Sequence, residues 1–210
     1  MPTYCNIILN MTNNRIEYIA DIVKNTGVFR ARDLDQKHIP RAYLQRLRQE
    51  GLIDRIGRGL YSVRGANITE HHTIVEASTR VPQGIICLLS ALRFHNLTTQ
   101  SPSQIWMAIN RKARLPKVDY PLIKFVRFSG YSLTEGIEEH QIEGVQVRIY
   151  NHAKTVVDCF KYRNKIGLDV ALEALRDCLR QRKCTVDEIW GYAKICRVTQ
   201  VIKPYIEAMV

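Results

Sequence analysis

The sequence predicts an α+β chain in two parts: a small basic N-terminal unit of helices and one hairpin, and a larger domain in which a small mixed sheet leads into helices. Three observations carry that expectation. A helix opened by proline and closed by glycine, Pro40 to Glu50, is followed directly by strand-like residues around Gly57-Arg58-Gly59. Between Gln104 and Tyr150 apolar residues recur at every second position, the period of a half-buried strand. On either side of that stretch the period returns to that of helices.

The first helix is expected from Arg15 to Thr26, where Ile16, Ile19, Ala20 and Val23 mark one buried face and Gly27 ends it. Phe29 and Leu34 extend the same core through a shorter helix, Arg30 to Lys37. Pro40 lacks the amide hydrogen that an opening turn leaves unpaired, and Gly51 can take the left-handed conformation that stops a helix. On the helix between them, Tyr43, Leu44 and Leu47 share one side. Arg41, Gln45 and Gln49 share the other, flanked by Arg46 and Arg48.

The strands of the hairpin follow. Leu52, Ile53 and Ile56 lie on one limb and Leu60, Tyr61 and Val63 on the other, with Arg55 near the base and Arg58 at the tip. Helix, turn, helix and hairpin in this order describe a winged helix-turn-helix, assigned to residues 12–65. Arginine donates a fork of hydrogen bonds to guanine, glutamine pairs with adenine and an alanine methyl meets that of thymine. Arg41, Ala42, Gln45, Arg46, Arg48 and Gln49 are therefore the expected major-groove contacts. Arg55 and Arg58 suit the phosphates or the minor groove. A solvated hairpin tip is the simpler reading of Arg58 taken alone.

Charge agrees with an anionic partner. The 210 residues carry a formal net charge of +11, and the first 66 hold eleven Lys/Arg against six Asp/Glu, a surplus denser than in the remainder. The hydrophobic fraction of 46% argues against extensive disorder. A membrane-spanning run is lacking in the sequence, and Asn6 to Met11 is too short and mixed for a secretion signal. Cys5, Cys87, Cys159, Cys178, Cys184 and Cys196 show no close ligand spacing and mostly have apolar neighbours. They are expected as reduced thiols in a cytoplasmic protein with no metal and no cofactor.

Arg64 to Thr69 lacks periodicity and marks the boundary, with the second domain spanning 69–210. It opens on a helix from Glu70 to Thr79, in which His71 and His72 are expected to be solvated, and a helix from Ile85 to His95 in which Ser90 belongs to the core. Strands follow around Ile105 to Ile109 and Ile123 to Phe128. A hairpin turns at Glu143-Gly144, and the loop from Arg111 to Lys117 is rich in cations. Helices then resume: Asn151 caps Ala153 to Tyr162, Leu168 to Arg180 follows, Thr185 and Glu188 have capping-box spacing before Ile189 to Cys196, and Thr199 to Met209 contains Pro204.

Two features of this domain bear on chemistry. Glu135, Glu138, Glu139 and Glu143, with Asp158, could hold a divalent ion for a nucleic-acid enzyme docked by the winged helix. Glu138 and Glu139, however, point to opposite faces of a strand, and no phosphate-cradling glycine loop accompanies them. A solvated hairpin accounts for them more simply. Lys154, Lys161, Arg163 and Lys165, close to Phe160 and Tyr162, are either wet flanks of a buried helix or a second basic surface for DNA, RNA or a protein. A protein–protein adaptor is the third class, since winged helices also serve that way.

The chain resembles the AbiEi antitoxins of type IV toxin-antitoxin (abortive-infection) systems. The resemblance rests on Val28-Phe29-Arg30-Ala31-Arg32-Asp33-Leu34, Ile39-Pro40-Arg41 and Arg55-Ile56-Gly57-Arg58-Gly59-Leu60-Tyr61. It continues through Leu89-Ser90-Ala91-Leu92, Val126 to Gly130, Val145 to Tyr150, Ala153 to Phe160 and Gly167 to Leu175. It covers nearly everything from Ile16 onward and leaves Met1 to Asn10 unassigned. It implies a bacterial, non-enzymatic repressor that binds double-stranded operator DNA at an inverted repeat, represses its own operon and counters a nucleotidyltransferase-like toxin. A direct antitoxin–toxin complex is not implied. Oligomeric state is left open, with a monomer binding cooperatively as one arrangement.

Overall fold

A computed structural model describes residues 27–36, 39–57, 59–64 and 69–209. The helix expected from Arg15 to Thr26, and with it Cys5, lies outside the described residues, as do Lys37 and Arg58. The chain has an α+β fold whose contacts divide it into two compact units. The first takes the chain up to Arg80 together with Gln141–Val145, and the second takes Val81–His140 and the chain from Gln146 onward.

In the first unit, β1 (Val28–Arg30) leads into α1 (Ala31–Gln36), α2 (Ala42–Gln49), β2 (Ile53–Gly57), β3 (Leu60–Val63) and α3 (His72–Arg80). The strands form one antiparallel sheet in the order β1-β3-β2, with Phe29 opposite Tyr61 and Tyr61 opposite Arg55. Strand β1 lies where the sequence reads only as the approach to a helix. Three residues are too few to show alternation, and they become a strand because β3 offers them a ladder. The helix after it is fastened at both ends of its first turn. The Asp33 carboxylate accepts from the Arg30 amide at 2.7 Å, and the Ala31 amide donates to the Gly59 carbonyl at 2.9 Å.

Helix α2 begins two residues later than expected. The amides of Tyr43 and Leu44 reach back three residues to the carbonyls of Pro40 and Arg41, which makes a tight turn ahead of the helix proper. Its end follows the expectation. Gly51 has φ +70°, its amide donates to Arg48 at 3.0 Å, and the Leu52 amide donates to Leu47 at 2.9 Å, the paired bonds of a Schellman stop. Phe29, Leu34, Ile39, Leu44, Leu47, Ile53 and Val63 are the buried core.

Gln141–Val145, counted in this unit, is the tip of a hairpin. Glu143 there was expected to be solvated, and His72 likewise. Instead the Glu143 side chain is only 2% exposed and accepts from the Thr69 amide (2.7 Å), the Thr69 hydroxyl (2.9 Å) and His72 Nδ1 (2.7 Å), while its own carbonyl accepts from the Gly27 amide (2.8 Å). One carboxylate gathers donors from the start of α3 and from the segment before it.

The second unit contains β4 (Ile85–Ile86), α4 (Leu88–Phe94), β5 (Ile105–Asn110), β6 (Ile123–Phe128), α5 (Tyr131–Thr134), β7 (Ile137–Ile142) and β8 (Val145–Tyr150). Then come α6 (His152–Lys161), α7 (Arg163–Ile166), α8 (Leu168–Arg180), α9 (Val186–Cys196) and α10 (Thr199–Glu207). Its sheet is mixed, in the order β6-β5-β4-β8-β7, with β4 antiparallel to β5 and parallel to β8. The helix expected from Ile85 is thus two elements. Ile85-Ile86 is a buried central strand, a short apolar run that periodicity cannot distinguish from a helical start. Ser90 on α4 is buried and its hydroxyl accepts from the Trp106 amide at 2.9 Å, tying helix to sheet.

Helix α6 is the hub of this unit: every residue from Ala153 to Phe160 is buried, and α4, α8, α9 and α10 all pack on it. Asn151 caps it through the Lys154 amide at 2.8 Å, and the Thr185–Glu188 capping box opens α9. Cys178 and Cys184, expected as reduced thiols, form a disulfide. The turn after α8, with Arg182 at φ +53°, folds Cys184 back over the end of that helix. Cys87, Cys159 and Cys196 are buried free thiols, and burial pushes each of them up.

Burial pushes the Glu143 carboxyl up, but the hydrogen bonds from His72 and Thr69 outweigh it and hold it below its ordinary value of 4.5. A carboxylate lowered in this way contributes stability that is complete above its unfolded pKa and is lost as pH falls through the folded one. Glu143→Gln should therefore lower stability at pH 7 by about 1 to 3 kcal/mol. In urea denaturation the gap between wild type and variant should narrow as the pH is taken down through the carboxylate range.

Candidate nucleic-acid interface

Burial divides α2 cleanly. Leu44 and Leu47 are buried and Tyr43 half-buried, while Ala42, Gln45, Arg48 and Gln49 are exposed, as is Arg41 just before the helix. Arg46 is half-buried and lies 3.6 Å from Glu50 one turn on. The result is a helix with an aliphatic back on the core and an outward face of arginine, glutamine and one methyl. Arginine and glutamine are residue types that form hydrogen bonds to base edges, and the methyl suits contact with that of thymine.

Two arginines of this unit, Arg41 and Arg64, each make a forked ion pair with a carboxylate. Asp35 on α1 takes a forked ion pair from Arg41, whose Nε donates at 3.0 Å. The bond holds the Asp35 carboxyl below its usual range and Arg41 above its own. On the hairpin, Asp54 accepts from Arg64 at 2.7 and 2.9 Å and is lowered in the same way. The second pair follows from register. Asp54 faces Ser62, so the residue two further along β3's path is diagonal to it. The first pair has no sequence signal, because it joins α1 to the residue just before α2 across a turn. Arg55 is exposed on β2 with its Nε on the Gly57 carbonyl at 3.1 Å, and Arg48 is exposed at the end of α2.

The second cationic group does not form one surface. Lys154 is fully buried, ion-paired with Asp158 one turn along α6, with its ammonium 4.0 Å from the Tyr150 ring centre and 4.8 Å from that of Phe128. Its place on the helix faces the sheet, a fact hidden by reading the charge without the helix face. Burial pushes the Asp158 carboxyl up, opposed by the Lys154 ammonium beside it. Lys161 and Arg163 are half-buried, the one over Phe128 and the other donating to the Phe160 carbonyl at 3.0 Å; Lys165 is exposed beside Tyr162. The loop from Arg111 to Lys117 is pinned by Arg127, which donates to the carbonyls of Arg111 (2.6 Å) and Ala113 (3.0 Å).

Four of the five acids weighed as one shared metal centre pair with different partners. Glu139 accepts from Gln146 at 2.6 Å, Glu143 belongs to His72 and Thr69, Asp158 belongs to Lys154, and Glu138 turns toward His140.

Comparison with known proteins agrees with the first unit. Residues 17–64 match the family model described as a transcriptional regulator, AbiEi antitoxin. The N-terminal segment is thus similar to the AbiEi antitoxins over those residues. That match spans α2, the hairpin and their core, so the outward Arg/Gln face belongs to the AbiEi-like segment. The chain is also similar in fold to the crystal structure of RV2827C protein from Mycobacterium tuberculosis, with a TM-score of 0.57 and 12% identity over 89% of this chain and 75% of that one. No curated protein matches. Among the described residues no helix is long and apolar enough to cross a membrane.

The burial of Lys154 has a measurable consequence. Lys154→Met would leave Asp158 buried without its partner, and urea denaturation should show a loss of about 3 to 5 kcal/mol. Replacing both residues, with Asp158→Leu added, should recover most of it. A solvated lysine would show neither effect.

Proposed function

We propose that residues 12–65 are a winged helix-turn-helix that places α2 in the major groove of double-stranded DNA, with Arg55 and Arg58 on phosphates or in the minor groove. The observation that supports this best is the division of α2, whose aliphatic side is committed to the core while Arg41, Ala42, Gln45, Arg48 and Gln49 face outward. Arg46 flanks that face.

The regulatory reading follows from the AbiEi match. The chain acts as a sequence-specific repressor of its own operon, binding an inverted repeat, and as the antitoxin to a nucleotidyltransferase-like toxin without requiring a stable complex with it. Residues 69–210 are the AbiEi-like antitoxin domain, and the protein is a cytoplasmic regulator rather than an enzyme. The employment of Glu139, Glu143 and Asp158 in structural bonds supports the last point.

Arg41 is the residue where the local structure shapes recognition. Its fork is already filled by Asp35, so donating to guanine requires the exchange of one bidentate partner for another. Asp35 thus sets the level that a base must exceed.

These assignments separate in a binding assay on the promoter of the gene itself, read against scrambled DNA across a salt series. Gln45→Ala should weaken the cognate site by about 1 to 3 kcal/mol while scrambled DNA changes less. Equal losses on both would remove Gln45 as a reader of bases. Arg55→Ala should weaken both DNAs alike and flatten the slope of log K against log salt by about one unit for each phosphate that is no longer neutralised. Asp35→Asn, which releases Arg41 and removes a negative charge, should strengthen binding.

A further inference from the structure

Three side chains of the second unit converge from separate elements. His95 follows the last residue of α4, Glu138 lies on β7 and His152 opens α6. One ligand atom from each lies within 4.8 Å of the other two. The rings of His95 and His152 are tilted 36° with centres 4.0 Å apart, and the Glu138 carboxylate accepts from His140 Nε2 at 3.2 Å. The three do not share a short sequence motif, so spacing rules for metal ligands had nothing to find.

The tautomer of His95 follows from its partner. Its Nε2 lies 2.7 Å from the Tyr150 carbonyl, and a carbonyl oxygen only accepts, so Nε2 carries the proton. In the neutral ring that leaves Nδ1 as a bare lone pair. A ring nitrogen tied to a backbone carbonyl while the other is left free is the usual outer support of a histidine that binds metal. His140, bonded to Glu138, supports the carboxylate in the same manner.

We propose that His95, Glu138 and His152 form a binding site for a zinc ion, with water in the fourth position. Two imidazoles and one carboxylate suit a borderline cation with tetrahedral preference, better than the all-oxygen sets taken by calcium or magnesium. With zinc bonds of about 2.0 to 2.2 Å, ligand atoms stand roughly 3.4 Å apart, so the widest pair must close by at most about 1.4 Å. His95 is buried and fixed. Glu138 and His152 are half-buried, so closing the site would fall to these two side chains. Glu138 supplies the negative charge, opposed by the Lys183 ammonium, which donates to the carbonyl of His95 itself.

The site belongs to a different unit from the proposed DNA-binding face, and its test does not depend on DNA. Tag-free full-length protein is titrated with Zn²⁺ by calorimetry and with Co²⁺ by visible absorption. The expected results are one ion per chain, the intense bands of four-coordinate cobalt and a higher Tm with zinc. Glu138→Gln and His152→Ala should each reduce affinity about tenfold or more and abolish the Tm shift, while His71→Ala leaves both unchanged. Glu138→Gln preserves side-chain shape and carries the test if His152→Ala does not fold. No uptake in excess zinc, or uptake indifferent to the Glu138 change, overturns the proposal.

Discussion

The first unit depends on the burial of Leu44 and Leu47. These two side chains press α2 against Phe29, Leu34, Ile39, Ile53 and Val63, and their removal from water fixes the rotation of the helix about its own axis. With about 100° between neighbours, that choice decides where Gln45, Arg48 and Gln49 point. The Schellman stop then sets the direction of the chain beyond the helix. Gly51 takes the left-handed conformation, Leu52 bonds back to Leu47, and β2 starts immediately, so the hairpin is placed by the same two turns of backbone that end α2. Outward face and hairpin are consequences of one packed helix rather than two independent features.

The second unit is built on a different principle. Helix α6 is buried over nearly its whole length, and an amphipathic stripe cannot describe it. Its polar residues are satisfied inside: Lys154 by Asp158 and two aromatic faces, and Thr155 by the Tyr150 carbonyl at 3.0 Å. A buried ion pair of this kind contributes little net stability compared with apolar packing, because both charges leave water. Its effect is directional. Lys154 has to face Asp158 and the rings of Tyr150 and Phe128, which fixes one register of α6 over the sheet where aliphatic side chains would tolerate several.

How much of this was legible in the sequence follows the range of the interactions involved. Local signals were readable: the glycine stop at Gly51, the caps at Asn151 and Thr185, the Glu143-Gly144 turn, and the helix from Leu168 to Arg180. Each is decided within a few residues. Features decided by distant partners were not. β1 is a strand because β3 lies beside it, Ile85-Ile86 is a strand because β5 and β8 flank it, and Glu143 is buried because Thr69 and His72 come to it. The misplacement of Lys154 has the same origin. In the linear pattern a lysine near the start of a helix reads as solvated, and only the sheet beneath makes that position interior.

The same distinction governs the proposed interface. Sequence reasoning counted its cations; the structure shows that several are already spoken for. Arg41 is held by Asp35, Arg64 by Asp54, and Arg46 lies near Glu50, which leaves Arg48 on α2 and Arg55 on β2 as exposed arginines of those two elements outside these three carboxylate pairs. A surface arginine paired with a carboxylate loses little stability when the pair opens, since exposed pairs contribute roughly 0 to 1 kcal/mol. The carboxylate nevertheless repels a phosphate wherever the protein lands. On nonspecific DNA that repulsion is unopposed, because the arginine has no base to fork with. At a matching guanine, the bidentate bond replaces the one given up. In the proposed DNA-binding role, Asp35 therefore reduces affinity everywhere but reduces it least at the correct sequence, and an acidic residue beside a reading arginine acts as a discriminator.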